Sequence, residues 1–203
     1  MTPERRQRII DTARSRQRDL VVFMERVHKP HNFAAILRTC DAVGVLDAHA
    51  VPGSHGLPAL NNTAQGAQRW VQVTRHVDTA TGLGALRRQG LRCIAAHFSD
   101  QAVDFRDVDY TRPTALVLGT EKFGISDEAA RLCDAHVVIP MHGMTRSLNV
   151  SVASALILYE AERQRRAAGM YAGGDPDAPE IKALIEQWID RDLARRKTPP
   201  PES

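Results

Sequence analysis

The residues with the most chemical capacity sit in three short stretches. In the first, His28, Lys29, Pro30, His31 and Asn32 lead into a helical pattern that carries Arg38 six positions after Asn32. Asn32 suits a helix N-cap, the free N–H groups of a helix start attract anions, and a guanidinium adds a planar fork with permanent charge. Together they would hold a phosphate, although an ordinary cap followed by a surface arginine would use the same residues. His28 and His31, three apart around a proline, lack the further ligands of a metal site.

The second stretch, 115–126, is an apolar run ending in Gly119, Thr120, Glu121, Lys122, Phe123 and Gly124, with Ser126 placed to cap a following helix. Its two glycines would let the backbone approach a flat ligand such as adenosine, and a strand-to-helix turn alone also accounts for them. The spacing matches neither a dinucleotide fingerprint nor a phosphate loop. The third stretch, 137–155, passes from an apolar run through Pro140 and Gly143 to Arg146, Ser147, Leu148 and Asn149, then opens a helix of small side chains. Close packing explains the Ala and Ser residues; it leaves the polar group before them unexplained.

Each stretch needs a strand to position it. Short β-rich runs at 20–23, 48–51, 70–73, 93–96, 115–118 and 137–139 lack strict alternation, as strands covered on both faces do. Helical patterns at 31–43, 62–68, 79–89, 126–133 and 149–168 follow them. The alternation predicts an α/β fold with a mostly parallel, doubly wound sheet, which binds ligands beyond the carboxyl ends of its strands. The loops after Leu118 and Ile139 are therefore the first places to look.

Around this domain, 20–171, the composition changes. Residues 1–19 read as a basic helical arm in which Arg5, Arg6, Arg8, Arg14, Arg16 and Arg18 outnumber Glu4 and Asp11, with too few large apolar residues to bury much surface. Arg163, Arg165 and Arg166 form a second basic cluster. Either group fits phosphate contact or a solvated helix face. Residues 172–180 read as a linker, 181–195 as an amphipathic helix, and 196–203 as a disordered, Pro-rich tail. The helix stripe of Ile181, Leu184, Ile185, Trp188, Ile189 and Leu193 needs a partner surface, expected on the domain or on a second subunit, with a separate binding function as the alternative.

At 203 residues, 43% hydrophobic and 25% charged, the chain has the makings of one well-cored domain rather than a disordered polymer. A net charge of +3 accommodates an anionic partner without requiring one. Cys40, Cys93 and Cys133 are too scattered for a disulfide framework or a zinc pair. No apolar run reaches the ~18 residues of a membrane span and no secretory signal is evident, so a cytoplasmic location is expected, with no membrane and no metal.

In this order and spacing the three stretches resemble the signature motifs of the SpoU class of SPOUT methyltransferases. Segments 103–113 and 156–171 extend the likeness, which covers roughly 1–171. The basic start, 27–32 and 160–165 are similar to the TrmH branch, which methylates the ribose of guanosine 18 in tRNA. The resemblance implies a C-terminal trefoil knot, which no pattern in the sequence would suggest because threaded chains are rare. It also implies a homodimer, S-adenosylmethionine as cofactor, and tRNA as partner, with the 2′-hydroxyl of the D-loop guanosine as acceptor.

By position, the resemblance makes Arg38 the catalytic arginine and puts Asn32, Glu121, Ser147 and Asn149 around it, with Glu121 anchoring Asn32 across the fold. Ala96, Gly119, Ile139 and Leu148 inherit the cofactor role. Arg5, Arg8, Arg16, His31, Arg163 and Arg165 inherit RNA contacts. Arg146 departs from the pattern, since many relatives carry a neutral residue there, usually Gln. Guanidinium groups hold their proton at neutral pH, so the expected task of Arg38 is to clamp a phosphate and polarise the hydroxyl. The alternatives are a 2′-O-methyltransferase of ribosomal RNA or of the tRNA wobble ribose, and a tRNA-binding protein without catalysis.

Overall fold

The computed structural model describes residues 1–53, 56, 57 and 66–197. The chain runs α1 (Pro3–Arg14), β1 (Leu20–Glu25), α2 (Pro30–Ala42), β2 (Asp47–Val51), β3 (Gln72–Arg75), α3 (Thr79–Arg88) and β4 (Arg92–Ala96). It continues through β5 (Val103–Asp104), β6 (Thr114–Leu118), α4 (Asp127–Leu132), β7 (Ala135–Val138), α5 (Val150–Ala167) and α6 (Pro179–Lys197). Two compact units result: Gln17–Ala168, and Met1–Arg16 with Gly169–Ser203.

The larger unit is built on a sheet in the order β3-β2-β1-β6-β4-β7-β5, parallel at every pairing. β1 and β6 lie at its centre and are buried along their whole lengths, as their unbroken apolar runs require. On one face Phe33, Ile36 and Leu37 of α2 and Ile157 and Leu158 of α5 cover Leu20, Val22 and Met24. On the other, Leu83 and Leu86 of α3 and Ala129 of α4 cover Val21, Phe23 and Val117. The expected doubly wound α/β sheet is therefore present.

Two elements differ from expectation. The run at 70–73 is displaced: Ala67–Arg69 form a single 3-10 turn and the strand starts at Gln72. Val71 is 1% exposed, so its apolar signal comes from burial in the core rather than from strand pairing. β5 has only two residues, too few to show a period in sequence. Of the helix expected at 62–68, residues 62–65 lie outside the described residues.

At the amino edge of the sheet, one arginine ties three elements together. Arg165 of α5 is fully buried and donates through Nε to Tyr110 O at 2.8 Å. Nη1 reaches Asp19 Oδ1 at 2.5 Å and Gln17 Oε1 at 3.1 Å; Nη2 reaches the carbonyls of Asp19 at 3.3 Å and Arg112 at 3.1 Å. These acceptors directly precede β1 and β6. The expected RNA contact at Arg165 is corrected accordingly: every nitrogen of its guanidinium is already used inside the fold.

In the smaller unit, Thr2 caps α1 through Oγ1 and the helix packs along α6. Ile9 and Ala13, four apart on one face, are buried, as are Ile181, Leu184, Ile185 and Trp188. Two apolar positions thus suffice for a partner helix, and the expectation that this segment buries little is corrected. Arg5 donates to Asp192 Oδ1 at 3.0 and 3.2 Å, and Arg14 donates to Gly174 O at 2.8 Å. Arg16 lies with its guanidinium carbon 5.0 Å from the Trp188 ring centre and is 6% exposed. Its expected RNA contact is likewise corrected, because its charge is covered by that ring. α6 runs on to Lys197, and 198–203 lie outside the described residues.

Candidate active site

β1 ends at Glu25, a buried carboxylate that accepts from Thr79 Oγ1 at 2.6 Å and from the N and Oγ of Ser126, each at 2.7 Å. Ser126 also caps α4 and Thr79 opens α3, so this carboxylate fixes the starts of two helices to the central strand. Next to it Arg26 takes a left-handed backbone conformation, φ 55°, that turns the chain toward α2.

The start of α2 differs from expectation in one respect. Its N-cap is Lys29, Pro30 fills the first helical position, and Asn32 stands in the first turn with its side chain 1% exposed. The Asn32 amide is used at both ends: Nδ2 donates to Glu121 Oε1, and Oδ1 accepts from Asn149 Nδ2 at 3.1 Å. Asn149 in turn caps α5, its Oδ1 accepting from the N and Oγ of Ser151 at 2.8 and 2.6 Å. One buried amide therefore joins the loop after β6 to the starts of two helices, and its hydrogen bonds leave it one orientation.

Arg38 lies on the same helix roughly 120° around the axis from Asn32, at ~100° per residue. It is exposed and makes no hydrogen bond or ion pair among the described residues. Its charge is available to an incoming anion.

Beyond the ends of β4 and β7 opens a cavity of about 370 Å³. Ala96, Ile139 and Leu148, three of the four residues proposed for the cofactor, line it together with Ser147, His97, Phe98 and Arg146. His97 and Phe98 simply continue the strand that delivers Ala96, a signal that the choice of Ala96 alone overlooked. Gly119 does not line it. An added Cβ there would fall 2.0 Å from the carbonyl of Gly124, and Thr120 and Gly124 exchange backbone hydrogen bonds of 2.8 and 2.9 Å. Closure of that turn by itself requires the glycine.

Burial, with the neighbouring His136 adding to it, holds His97 below its ordinary pKa against an opposing pull from Asp127. His136 Nε2 faces the carbonyl of Ala130 at 3.0 Å, so that nitrogen carries the hydrogen, and its Nδ1 accepts from Ser99 Oγ at 2.8 Å. Among the expected RNA contacts, Arg8, His31 and Arg163 are exposed, Arg163 sharing its charge with Glu160 at 2.7 Å. Arg5 keeps a third of its side-chain surface beside Asp192. Among the described residues no group of three or more His, Cys, Asp or Glu is placed to hold a metal ion, and no helix is long and apolar enough to cross a membrane.

An all-parallel sheet with a cavity and a fixed polar cluster beyond its strand ends defines a ligand-binding, doubly wound α/β protein. Residues 19–159 match the SpoU rRNA Methylase family, and the chain belongs to that family. A tRNA (guanosine(18)-2′-O)-methyltransferase of Escherichia coli strain K12 is 53% identical over 190 residues, which span 92% of this chain and 82% of that protein. The crystal structure of the A. aeolicus TrmH/SpoU tRNA modifying enzyme superposes with a TM-score of 0.87 at 40% identity, covering 94% of this chain and 97% of that one. The SpoU methyltransferase AviRb from Streptomyces viridochromogenes, in complex with the cofactor AdoMet, aligns with a TM-score of 0.65 at 29% identity over 74% of this chain and 62% of that one.

Proposed function

We propose that this chain transfers a methyl group from S-adenosylmethionine to the ribose 2′-hydroxyl of a tRNA guanosine, that of position 18 in the D-loop. The observation that carries the reading is the Glu121–Asn32–Asn149 network, which holds the starts of α2 and α5 together at the sheet edge where the cavity opens. The relatives at high identity bear that activity in their names.

The cavity fits the cofactor. Its walls are mostly apolar, with Ala96, Ile139 and Leu148 offering shape and main-chain groups to an adenine, and Arg146 supplies one charge. When bound, S-adenosylmethionine supplies an electrophilic methyl group for in-line displacement by the ribose oxygen. Positioning is then most of the protein's task. Asn32, Glu121 and Asn149 hold the frame, Ser147 stands at the cavity rim, and Arg38 clamps the neighbouring phosphate and polarises the hydroxyl, whose proton leaves to phosphate or solvent.

On this reading Arg8, His31 and Arg163, with Arg5, contact the tRNA backbone. The chain works as a homodimer, for which Val152, Leu156 and Tyr159 provide an exposed stripe along one face of α5, 43–54% exposed. The trefoil knot and a cytoplasmic location belong to the same proposal, supported by family membership.

The test is mass-spectrometric mapping of tRNA incubated with the protein and isotopically labelled cofactor. A labelled 2′-O-methyl at guanosine 18 is the expected outcome. A label on another ribose would refute the position, and no label would leave a tRNA-binding protein without catalysis.

A further inference from the structure

The cavity beyond β4 and β7 has a single permanent charge. Val137, Ile139, Leu148 and Ile157 contribute apolar wall, and His97, held below its ordinary pKa by burial, is neutral at neutral pH. Arg146 lines the same space, is exposed to it, and makes no hydrogen bond or ion pair among the described residues. The loop that carries it, 139–149, contains no Asp or Glu to neutralise it. A guanidinium left unpaired in a cavity wall asks its occupant for an anionic oxygen pair, which it engages as a fork. Apolar walls and main-chain groups serve a flat base; Ser147 and His97 can each offer a neutral donor, and Arg146 alone in this lining offers a permanent positive charge and a paired donor set to a carboxylate.

We infer that Arg146 is the carboxylate anchor of the cavity, pairing with the α-carboxylate on the amino-acid end of S-adenosylmethionine; this rests on the cofactor reading above. The product keeps that carboxylate after losing the methyl group, so the anchor holds substrate and product forms alike. Uniform binding of this kind sets KM and leaves kcat unchanged. Arg146 is thus a binding residue for the cofactor, distinct in effect from Arg38, whose clamp acts on the RNA.

Calorimetry on the full chain with two probes tests the inference: S-adenosylhomocysteine, and 5′-methylthioadenosine, which keeps the nucleoside and thioether but lacks the amino-acid end. In Arg146→Gln, S-adenosylhomocysteine should bind about tenfold more weakly, ~1.4 kcal/mol, with 5′-methylthioadenosine unchanged. The KM for S-adenosylmethionine should rise by the same factor at constant kcat. Equal weakening of both probes, or no weakening of S-adenosylhomocysteine, overturns the inference. So does a loss confined to tRNA affinity with a shallower salt dependence, which would assign Arg146 to a phosphate. A wild-type protein that binds neither probe refutes the cofactor reading itself, a failure visible before any variant is compared.

Discussion

The two edges of the sheet use the same kinds of side chain for opposite ends. At the amino edge, Arg165 spends its whole guanidinium on Tyr110, Gln17, Asp19 and Arg112, and nothing is left for a ligand. At the carboxyl edge, buried Glu25 and Asn32 fix the frame while Arg146 and Ser147 remain exposed, and Arg38 is exposed further along α2. Burial with complete pairing gives rigidity; exposure without a partner gives reactivity toward something outside. Stability and function are thus separated by position in the sheet, and substitutions can strike either alone.

The largest effect is expected at the amino edge. Arg165→Ala leaves the Asp19 carboxylate, the Gln17 amide and three backbone carbonyls without their donor, which should lower the unfolding free energy by about 2–4 kcal/mol, the lower part reflecting the partial exposure of Asp19. Urea unfolding monitored by fluorescence measures it, and a midpoint within error of wild type would show that the clamp does not hold the strands. At the carboxyl edge, Asn32→Ala should cut turnover about 10²-fold through loss of alignment, with S-adenosylhomocysteine affinity within a few-fold. Equal losses in both would mean that the cavity, rather than the frame, had been damaged.

A smaller effect is expected from pH at the His49–His76 pair, whose rings stack at 5.2 Å with Nδ1 and Nε2 2.9 Å apart. Burial, then the neighbouring His76, pulls His49 down to about 4 from 6.5. Between those values the unfolded chain binds a proton that the folded chain refuses, so this contribution is full above about 6.5 and is lost as pH falls toward about 4. His49→Gln should flatten that limb of the stability–pH curve; an unchanged slope would place the titration elsewhere. The smallest effect is expected at Arg163, already shared with Glu160. Arg163→Ala should reduce the log–log salt slope of tRNA binding by about one, with the unfolding midpoint unchanged.

The sheet was legible because β1 and β6 are buried on both faces and read as apolar runs bounded by polar turns. The same logic misread 70–73, since Val71 is buried without being paired in the sheet. Distances across the fold were not legible from local pattern. Glu25 looks like a polar strand end and is a buried hub, and the meeting of Asn32 with Glu121, 89 positions away, came from family likeness alone. Arg163 and Arg165 look alike in sequence, yet two residues along α5 rotate one into solvent and the other into the core. The steric need for glycine at 119 comes from the backbone of Gly124, a contact that local pattern does not reveal.

The central claim is that an exposed guanidinium on α2 acts on RNA while contributing nothing to the fold. Single-turnover methyl transfer by Arg38→Lys, run beside its unfolding curve, tests this most directly. Transfer should slow by about 10²-fold at an unchanged unfolding midpoint, because a lysine keeps the charge and loses the fork. Near-normal transfer, or a slow enzyme that is also unstable, would contradict it.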